Sequence, residues 1–218
     1  MMTTTSLSPT KILYNDGNVS LVIRPLHKDD ASTLNSSVHE SLDNLLPFMD
    51  WAHLELSENN QLNRIIKSKQ NYLRGSEYDF GVFDALGNFL VSASWHPSKT
   101  RNNKCFEIGY WTHVKHCNQG LATLVTKILT FAAFEFMGCD RVEIGCNKAN
   151  IQSKKVIEKC EFIFEGEIRN YFSNPTEKML ENNYSSERTC LLYGFTSEDL
   201  SKISWYKEIN KYIKIFYT

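Results

Sequence analysis

The stretch His116-Cys117-Asn118-Gln119-Gly120-Leu121-Ala122-Thr123 separates a segment that predicts a strand from one that predicts a helix. Before it, a short apolar run contains Phe106, Ile108, Tyr110 and Trp111. After it, apolar residues recur every three or four positions as far as Phe136, which is one face of a helix. A polar turn with a glycine leaves the first N–H groups of the helix unpaired, and such donors bind phosphate. The stretch therefore predicts a cradle for the pyrophosphate of a nucleotide-containing cofactor.

Length, charge and residue spacing exclude several classes of protein. The chain has 218 residues and a net charge of −1, so we expect one domain that binds neither nucleic acid nor an anionic membrane surface. The Thr- and Ser-rich start, residues 1–9, lacks the basic cluster and apolar core of a signal peptide. The six cysteines and six histidines lack zinc-ligand spacing. We expect a cytoplasmic protein without a metal.

The hydrophobic periodicity predicts one domain of mixed α and β structure, with no repeat and no interior linker. The predicted strands cover residues 19–24, 78–83, 89–95, 106–111, 141–146, 162–172 and 189–195. Helices are predicted after residue 28, from 62 to 75, from 121 to 136, after Asn150 and from 197 onwards. We expect a flexible tail over 1–18, the domain over 19–197 and a helical extension over 198–218, which packs back on the domain or forms a homodimer contact.

Four motifs, in this order and spacing, resemble one known family. They are Ile23-Arg24-Pro25-Leu26 with Asp29-Asp30, the segment from Leu45 to Trp51, Glu107-Ile108-Gly109-Tyr110-Trp111 with Gln119-Gly120, and Asn150-Ile151-Gln152-Ser153 with Phe162 and Glu165-Gly166. The chain from Val19 to Phe195 is thereby similar to the GNAT superfamily of acetyl-CoA-dependent N-acetyltransferases. The resemblance is strongest to its Rim-type branch, RimL and RimJ among them, which acetylates protein N-termini.

The resemblance implies a GNAT fold of the mixed α/β (α+β) class. This fold has a central, mostly antiparallel twisted sheet of about six to seven strands flanked by helices, here with an extra C-terminal helix. It also implies acetyl-CoA as cofactor, without a metal. The residues that would bind this cofactor are Trp111, Thr112, Asn118, Gln119, Gly120, Leu121, Ala122, Thr123, Asn150 and Ser153. For Asn150, capping of its helix is an equally good explanation.

Three side chains are the catalytic candidates that the resemblance implies. Glu107 matches the position of a general base that acts through water, although a structural carboxylate in the sheet explains it as well. Ser153 would donate a hydrogen bond to the departing thiolate. Ile157 occupies the position of the family's usual tyrosine acid, so Tyr171 is the substitute candidate. Backbone N–H groups near Trp111 and Thr112 would polarise the acetyl carbonyl.

The sequence departs from the family pattern at several places. Cys117 stands where Gln or Arg is usual, and Asn118 stands where an additional glycine is common. Asn adopts left-handed backbone conformations better than most residues, so the turn remains feasible. Glu161 replaces the glycine that usually precedes Phe162, and Phe172 occupies the place where some relatives have a glutamate.

Three functions are consistent with these residues. The first is transfer of an acetyl group, directly within a ternary complex, to the α-amine of a protein N-terminus. The second is acetylation of a small amine such as a polyamine, an antibiotic or an amino acid, which an acidic pocket would indicate. The third is a module that holds an acyl-CoA without turnover. The Leu45–Trp51 segment and the 173–188 loop are expected to wall the acceptor site, or to be a packed corner and a solvated surface.

Overall fold

The computed structural model describes residues 9–97 and 104–217. Apart from Pro97, the polar loop predicted at 97–103 lies outside these residues, as does the start of the predicted tail. Within the described ranges, one mixed α/β domain is built on a single large sheet.

The described strands form one nine-stranded sheet rather than the six or seven strands predicted. They are β1 (Pro9–Asn15), β2 (Ser20–Pro25), β3 (Tyr78–Phe83), β4 (Phe89–Pro97), β5 (Cys105–Thr112), β6 (Arg141–Asn147), β7 (Ile163–Ile168), β8 (Cys190–Thr196) and β9 (Ile213–Tyr217). Their order across the sheet is β7-β8-β6-β5-β4-β3-β2-β1-β9. The β5–β6 pair is parallel and the other described pairs are antiparallel.

Helices cover both faces of this sheet. They are α1 (Ala31–Glu40), α2 (Leu42–Leu45), α3 (Glu58–Arg74), α4 (Leu121–Glu135), α5 (Ile151–Lys159), α6 (Glu177–Glu181) and α7 (Tyr206–Ile209). On one face, residues of α1 to α3 pack with Phe83, Phe89 and Trp111. On the other face, α4, α5 and α7 pack with the larger set of apolar strand residues, Phe106 and Ile108 among them. The alternation of side chains along β5 therefore gives the two faces different partners.

The two chain ends form strands that the sequence analysis missed. Residues 9–15 were predicted as part of a flexible tail, but β1 buries Ile12 and Tyr14 and pairs with β2. The predicted C-terminal helix is also wrong, because only α7 is α-helical there and the chain then pairs as β9 with β1. The spacing from Ile203 to Ile213 resembled one helix, while the alternation of Ile213 and Ile215 was short enough to be overlooked.

The strand predicted at 162–172 is shorter than expected. It ends at Ile168, and Asn170 has a positive φ of 55°, which turns the chain away from the sheet. The backbone N–H of Tyr171 then donates to Arg188 O at 2.9 Å, so Tyr171 lies in a loop and not on a strand.

The C-terminal extension is anchored on the end of α5. Glu161 adopts a left-handed backbone conformation with φ of 65°, at the place where glycine is usual, and its carboxylate accepts hydrogen bonds from Ser204 N–H and Oγ. Trp205 Nε1 donates to Cys160 O at 3.0 Å, and its side chain is 9% exposed. The extension therefore belongs to the core of the domain.

Removing the Trp205 side chain tests this anchoring. We expect Trp205→Ala to lower the free energy of unfolding, measured by urea denaturation, by about 3–5 kcal/mol, because a large buried side chain and its hydrogen bond are lost. Phe216→Ala is the control within the same extension. Phe216 is 42% exposed and its ring contacts Lys11 Nζ, so we expect a loss of about 1 kcal/mol or less. Equal small losses for both variants would contradict the anchoring.

Candidate active site

Strands β5 and β6 pair along only part of their length. The parallel register joins Cys105 to Arg141, Phe106 to Val142 and Glu107 to Glu143, and the pairing stops there. Strand β5 continues to Thr112 against β4, without a shift of register. A gap therefore opens between β5 and β6 beyond Glu107, in the interior of the sheet.

The alternation of hydrogen bonds along β5 decides which N–H groups face this gap. His113 N–H donates to Leu90 O of the β4 side at 2.9 Å. In an antiparallel ladder every second residue bonds the same neighbour, so the N–H groups of Trp111 and Gly109 point to β4. Those of Tyr110 and Thr112 point into the gap. Of the two residues near which donors were predicted, Trp111 therefore directs its N–H to β4 and Thr112 directs its N–H into the gap, and the cofactor roles of both stay predictions.

The predicted pyrophosphate cradle lies at the N-terminus of α4. Gly120 is the N-cap residue of this 15-residue helix, and it has no side chain that could accept a hydrogen bond from the first turn. The first helical N–H groups, from Leu121 to Thr123, therefore have no partner within the helix. Asn118 and Gly120 have φ of 61° and 80°, which confirms the left-handed conformation expected at Asn118. Space is open where a Gly120 Cβ would lie. Turns of this kind aim successive N–H groups outward and bind anions.

The end of α1 contacts the loop of residues 113–120, which leads from β5 to the predicted cradle at the start of α4. Glu40 contacts His113 Nε2 at 2.9 Å and Lys115 Nζ at 2.7 Å, while Ser41 Oγ accepts from Val114 N–H at 3.0 Å. No local pattern in the sequence predicts these contacts, because 73 positions separate Glu40 from His113 and Ser41 from Val114.

Cys117 is half-buried within the loop that leads to α4. Its Sγ lies 3.7 Å from His113 O and 3.8 Å from Thr112 O, and burial raises the pKa of the thiol. The side chain therefore packs as a neutral group against the backbone and leaves the outward N–H groups clear.

Ser153 lies beside a tyrosine that the sequence analysis did not select. Tyr110 Oη is 3.0 Å from Ser153 Oγ, and burial raises the pKa of this phenol. Asn150 Oδ1 accepts from Ser153 N–H at 3.0 Å, so Asn150 caps α5. Strand alternation could have identified Tyr110, because adjacent residues of a strand point to opposite faces of the sheet. Tyr110 is on the face of β5 that α5 covers, and Trp111 is on the other face.

Glu107 is a partly buried carboxylate next to the gap. Burial raises its pKa, and the charge of Glu143 adds to the rise, while His96 opposes it. A carboxylate with a raised pKa is a stronger proton acceptor near neutral pH. The charge of Glu107 is also the largest cause that raises the pKa of Tyr171, which is 51% exposed. The loop thus places Tyr171 near the candidate base.

A groove of about 510 Å³ lies on the face of the sheet that α3 covers, and it ends at residues 109–111 of β5. It is lined by Met49, Trp51, Leu54, Glu55, Leu56, Asn60, Gln61, Arg64, Lys67, Ser68, Asn71, Glu77, Asp79, Ser92, Ala93, Ser94, His96, Gly109, Tyr110 and Trp111. The Leu45–Trp51 segment belongs partly to the core and partly to the groove. Leu45 is buried in the core, while Trp51 lines the groove.

The 173–188 loop packs against the same segment. Ser185 N–H donates to Pro47 O at 2.9 Å, and the Tyr184 hydroxyl donates to the Asp50 carboxylate. A second hollow of about 360 Å³ lies between this loop and Asp50, His53 and Leu54. The two segments that the sequence analysis proposed as walls therefore lie side by side, although their roles toward an acceptor stay predictions.

Two classes of feature are absent from the part of the chain that the structure describes. No helix there is long and apolar enough to cross a membrane. Among residues 9–97 and 104–217, no group of three His, Cys, Asp or Glu side chains is arranged to hold a metal ion.

The chain is similar in sequence and in structure to known acetyltransferases. “Probable N-acetyltransferase YjcK” of Bacillus subtilis (strain 168) is 27% identical over 153 residues, which are 69% of this chain and 84% of that protein. RimJ of Mycobacterium smegmatis, solved in complex with a CoA-disulfide, has a TM-score of 0.77 at 18% identity and covers 93% of this chain and 95% of its own. RimL, described as a ribosomal L7/L12 alpha-N-protein acetyltransferase in complex with coenzyme A, has a TM-score of 0.72 at 16% identity, with coverage of 84% and 97%.

These structural similarities confirm the predicted GNAT fold, with Rim-type proteins as its neighbours. A family model described as an acetyltransferase (GNAT) domain matches residues 20–163, well over half of the chain. The chain therefore belongs to the GNAT family of N-acetyltransferases.

Proposed function

We propose that this acetyltransferase binds acetyl-CoA at the α4 N-terminus and acetylates the α-amine of a protein N-terminus. The observation that carries the proposal is that two binding features adjoin the same part of β5. The anion cradle and the groove lie on opposite faces of the sheet, and both adjoin the segment of β5 that has left β6. A donor and an acceptor could therefore approach the same gap from two sides.

The residues at the cradle fit the chemistry of coenzyme A. Its pyrophosphate needs several donors at one place, which the outward N–H groups from Leu121 to Thr123 supply. Gly120 leaves space there, and Asn118 keeps the required turn. Acetyl-CoA, when bound, supplies an acetyl thioester whose carbonyl carbon is open to attack by an amine.

Three groups of this chain would act on the reaction. The N–H groups of Tyr110 and Thr112 face the gap and can donate to an oxygen that gains negative charge. Glu107, with its raised pKa, can accept the proton of the amine through water. Ser153 Oγ lies 3.0 Å from Tyr110 Oη and can donate a hydrogen bond to a thiolate. The amine of a protein N-terminus has a pKa of about 8, against about 10.4 for lysine, so it is more readily neutralised.

The charges of the groove favour a peptide over a polyamine. Three carboxylates, of Glu55, Glu77 and Asp79, are accompanied by the cations of Arg64 and Lys67. An acidic pocket would have indicated a small polycation, and this mixed lining does not provide one. The Arg64 guanidinium also stacks over Trp51 at 5.2 Å, which gives the groove an apolar and aromatic wall. Such a lining suits the varied side chains of a protein segment.

A thiol-release screen tests the acceptor class. With acetyl-CoA present, we expect peptides with a free N-terminal amine to release free thiol, and the same peptides with a blocked N-terminus to release none. Spermidine, free amino acids and peptides with only a lysine amine are the comparison acceptors. Preferred turnover of spermidine or amino acids would replace the proposal by the small-amine function. Binding of acetyl-CoA without thiol release on any acceptor would indicate a binding module.

Replacing Gly120 tests the cradle. We expect Gly120→Val to raise the Kd for acetyl-CoA at least tenfold by calorimetry, because a β-branched side chain would fill the open space and strain the turn. Gly138→Val is a matched control. Gly138 has φ of 57°, and space is open where a Cβ would lie. A valine at this position therefore introduces similar backbone strain, but beyond the C-terminal end of α4. A similar loss of affinity in both variants would mean that the cradle is elsewhere.

The pH dependence tests Glu107. A base must be deprotonated, so kcat/KM should fall as the pH drops through the pKa of Glu107, which burial raises above its usual value near 4.5. We expect Glu107→Gln to shift this acidic limb and to lower kcat by about 100-fold or more. An unchanged pH profile in the variant would exclude Glu107 as the base.

A further inference from the structure

Four side chains in the groove form a continuous chain of hydrogen bonds that the reaction outlined above does not use. Ser94 Oγ lies 2.7 Å from His96 Nε2, and His96 Nδ1 lies 3.1 Å from Glu77 Oε1. The other oxygen of Glu77 accepts from Asn71 Nδ2 at 2.8 Å. A carboxylate, an imidazole and a hydroxyl are thus aligned in the order found in catalytic proton relays.

The contacts fix the direction of this chain when the imidazole is neutral. Glu77 is a carboxylate and accepts only, so the proton of the imidazole must be on Nδ1. Nε2 is then an acceptor, and Ser94 donates its hydroxyl proton to it. The lone pairs of Ser94 Oγ remain free to accept a further proton from the groove.

The relay lies in the groove beside β5, on the side from which the proposed acceptor amine would approach the gap. In the β4–β5 ladder Ser94 stands opposite Gly109, and His96 stands opposite Glu107, all on the face that lines the groove. A Cβ on Gly109 would be 2.9 Å from Ser94 Oγ and 3.4 Å from His96 Nε2, so the glycine makes room for the pair. Ser94 is therefore two residue pairs closer than Glu107 to the N–H groups of Tyr110 and Thr112 that face the gap.

The outer end of the relay reaches solvent. Ser94 is buried, with 9% of its surface exposed, whereas the His96 side chain is 44% exposed and that of Glu77 is 32% exposed. A proton that enters at Ser94 can thus leave through the imidazole to water.

We propose that Ser94, His96 and Glu77 form a proton relay that acts as a second base beside Glu107. The proposal rests on the proposed acetylation of an amine. As the nitrogen lone pair forms the bond to the acetyl carbon, an N–H bond breaks and its proton passes to Ser94 Oγ, and the C–S bond of the thioester breaks as the thiolate leaves with the bonding electrons. Ser94 gives its own proton to His96 Nε2, and the Glu77 carboxylate stabilises the resulting imidazolium. The imidazolium then releases one proton to water, so Ser94 and His96 regain their starting forms.

Kinetics of relay variants test the proposal. We expect His96→Gln to lower kcat by about 100-fold or more, with the KM for acetyl-CoA unchanged. Added imidazole should restore part of the activity of His96→Ala, which a merely structural role would not allow. Ser94→Ala combined with His96→Gln should be no slower than either single variant, because both changes interrupt one path. His27→Gln is the control, since His27 contacts exposed Asp29 outside the groove.

A second measurement does not depend on turnover. Nitrogen-15 NMR of the unaltered protein should show neutral His96 protonated at Nδ1, and Glu77→Gln should change this signal. An Nε2-protonated ring, or full activity of a folded His96→Gln variant, would overturn the relay and leave the proposed function intact. Failure of the unaltered protein to acetylate any amine would overturn the proposed function and, with it, the role of the relay.

Discussion

The separation of β5 from β6 is the constraint on which the rest of the site depends. A strand in the middle of a sheet normally satisfies its backbone groups on both sides, and unpaired buried N–H groups are unfavourable. Here the pairing ends at Glu107 and Glu143, so Tyr110 and Thr112 direct N–H groups into a gap inside the domain. The unbroken ladder with β4 keeps β5 straight and holds these donors in fixed directions.

The elements around the gap maintain this arrangement. On one side, Tyr110 contacts Ser153 at the start of α5, and the end of α1 holds the loop that leads to α4. On the other side, α3 lines the groove, and the loop that carries Tyr184 lines the neighbouring hollow. The extra strands at the two chain ends extend the sheet away from the gap, and Trp205 fixes the C-terminal extension to α5. The site is thus formed by contacts between segments distant in sequence.

The parts that sequence predicted are those governed by local rules. The strand, turn and helix from Cys105 to Glu135 follow hydrophobic periodicity and turn chemistry, and Asn118 adopts the left-handed conformation that its residue type favours. What sequence missed depends on pairing between distant segments. β1 and β9 are short strands from opposite ends of the chain, and they stabilise each other by pairing. The relay was missed because Glu77 precedes β3 while Ser94 and His96 lie on β4, so only the folded register brings them together.

Amide hydrogen exchange with and without acetyl-CoA tests the central claim most directly, because it observes the backbone N–H groups themselves. The account predicts slower exchange on binding at Tyr110 and Thr112, which face the gap, and from Leu121 to Thr123 at the start of α4. Gly109 and Trp111 should not change, since their N–H groups already bond to β4. Exchange that is unaffected at the gap and cradle, or slowed equally at all four positions from 109 to 112, would contradict the account.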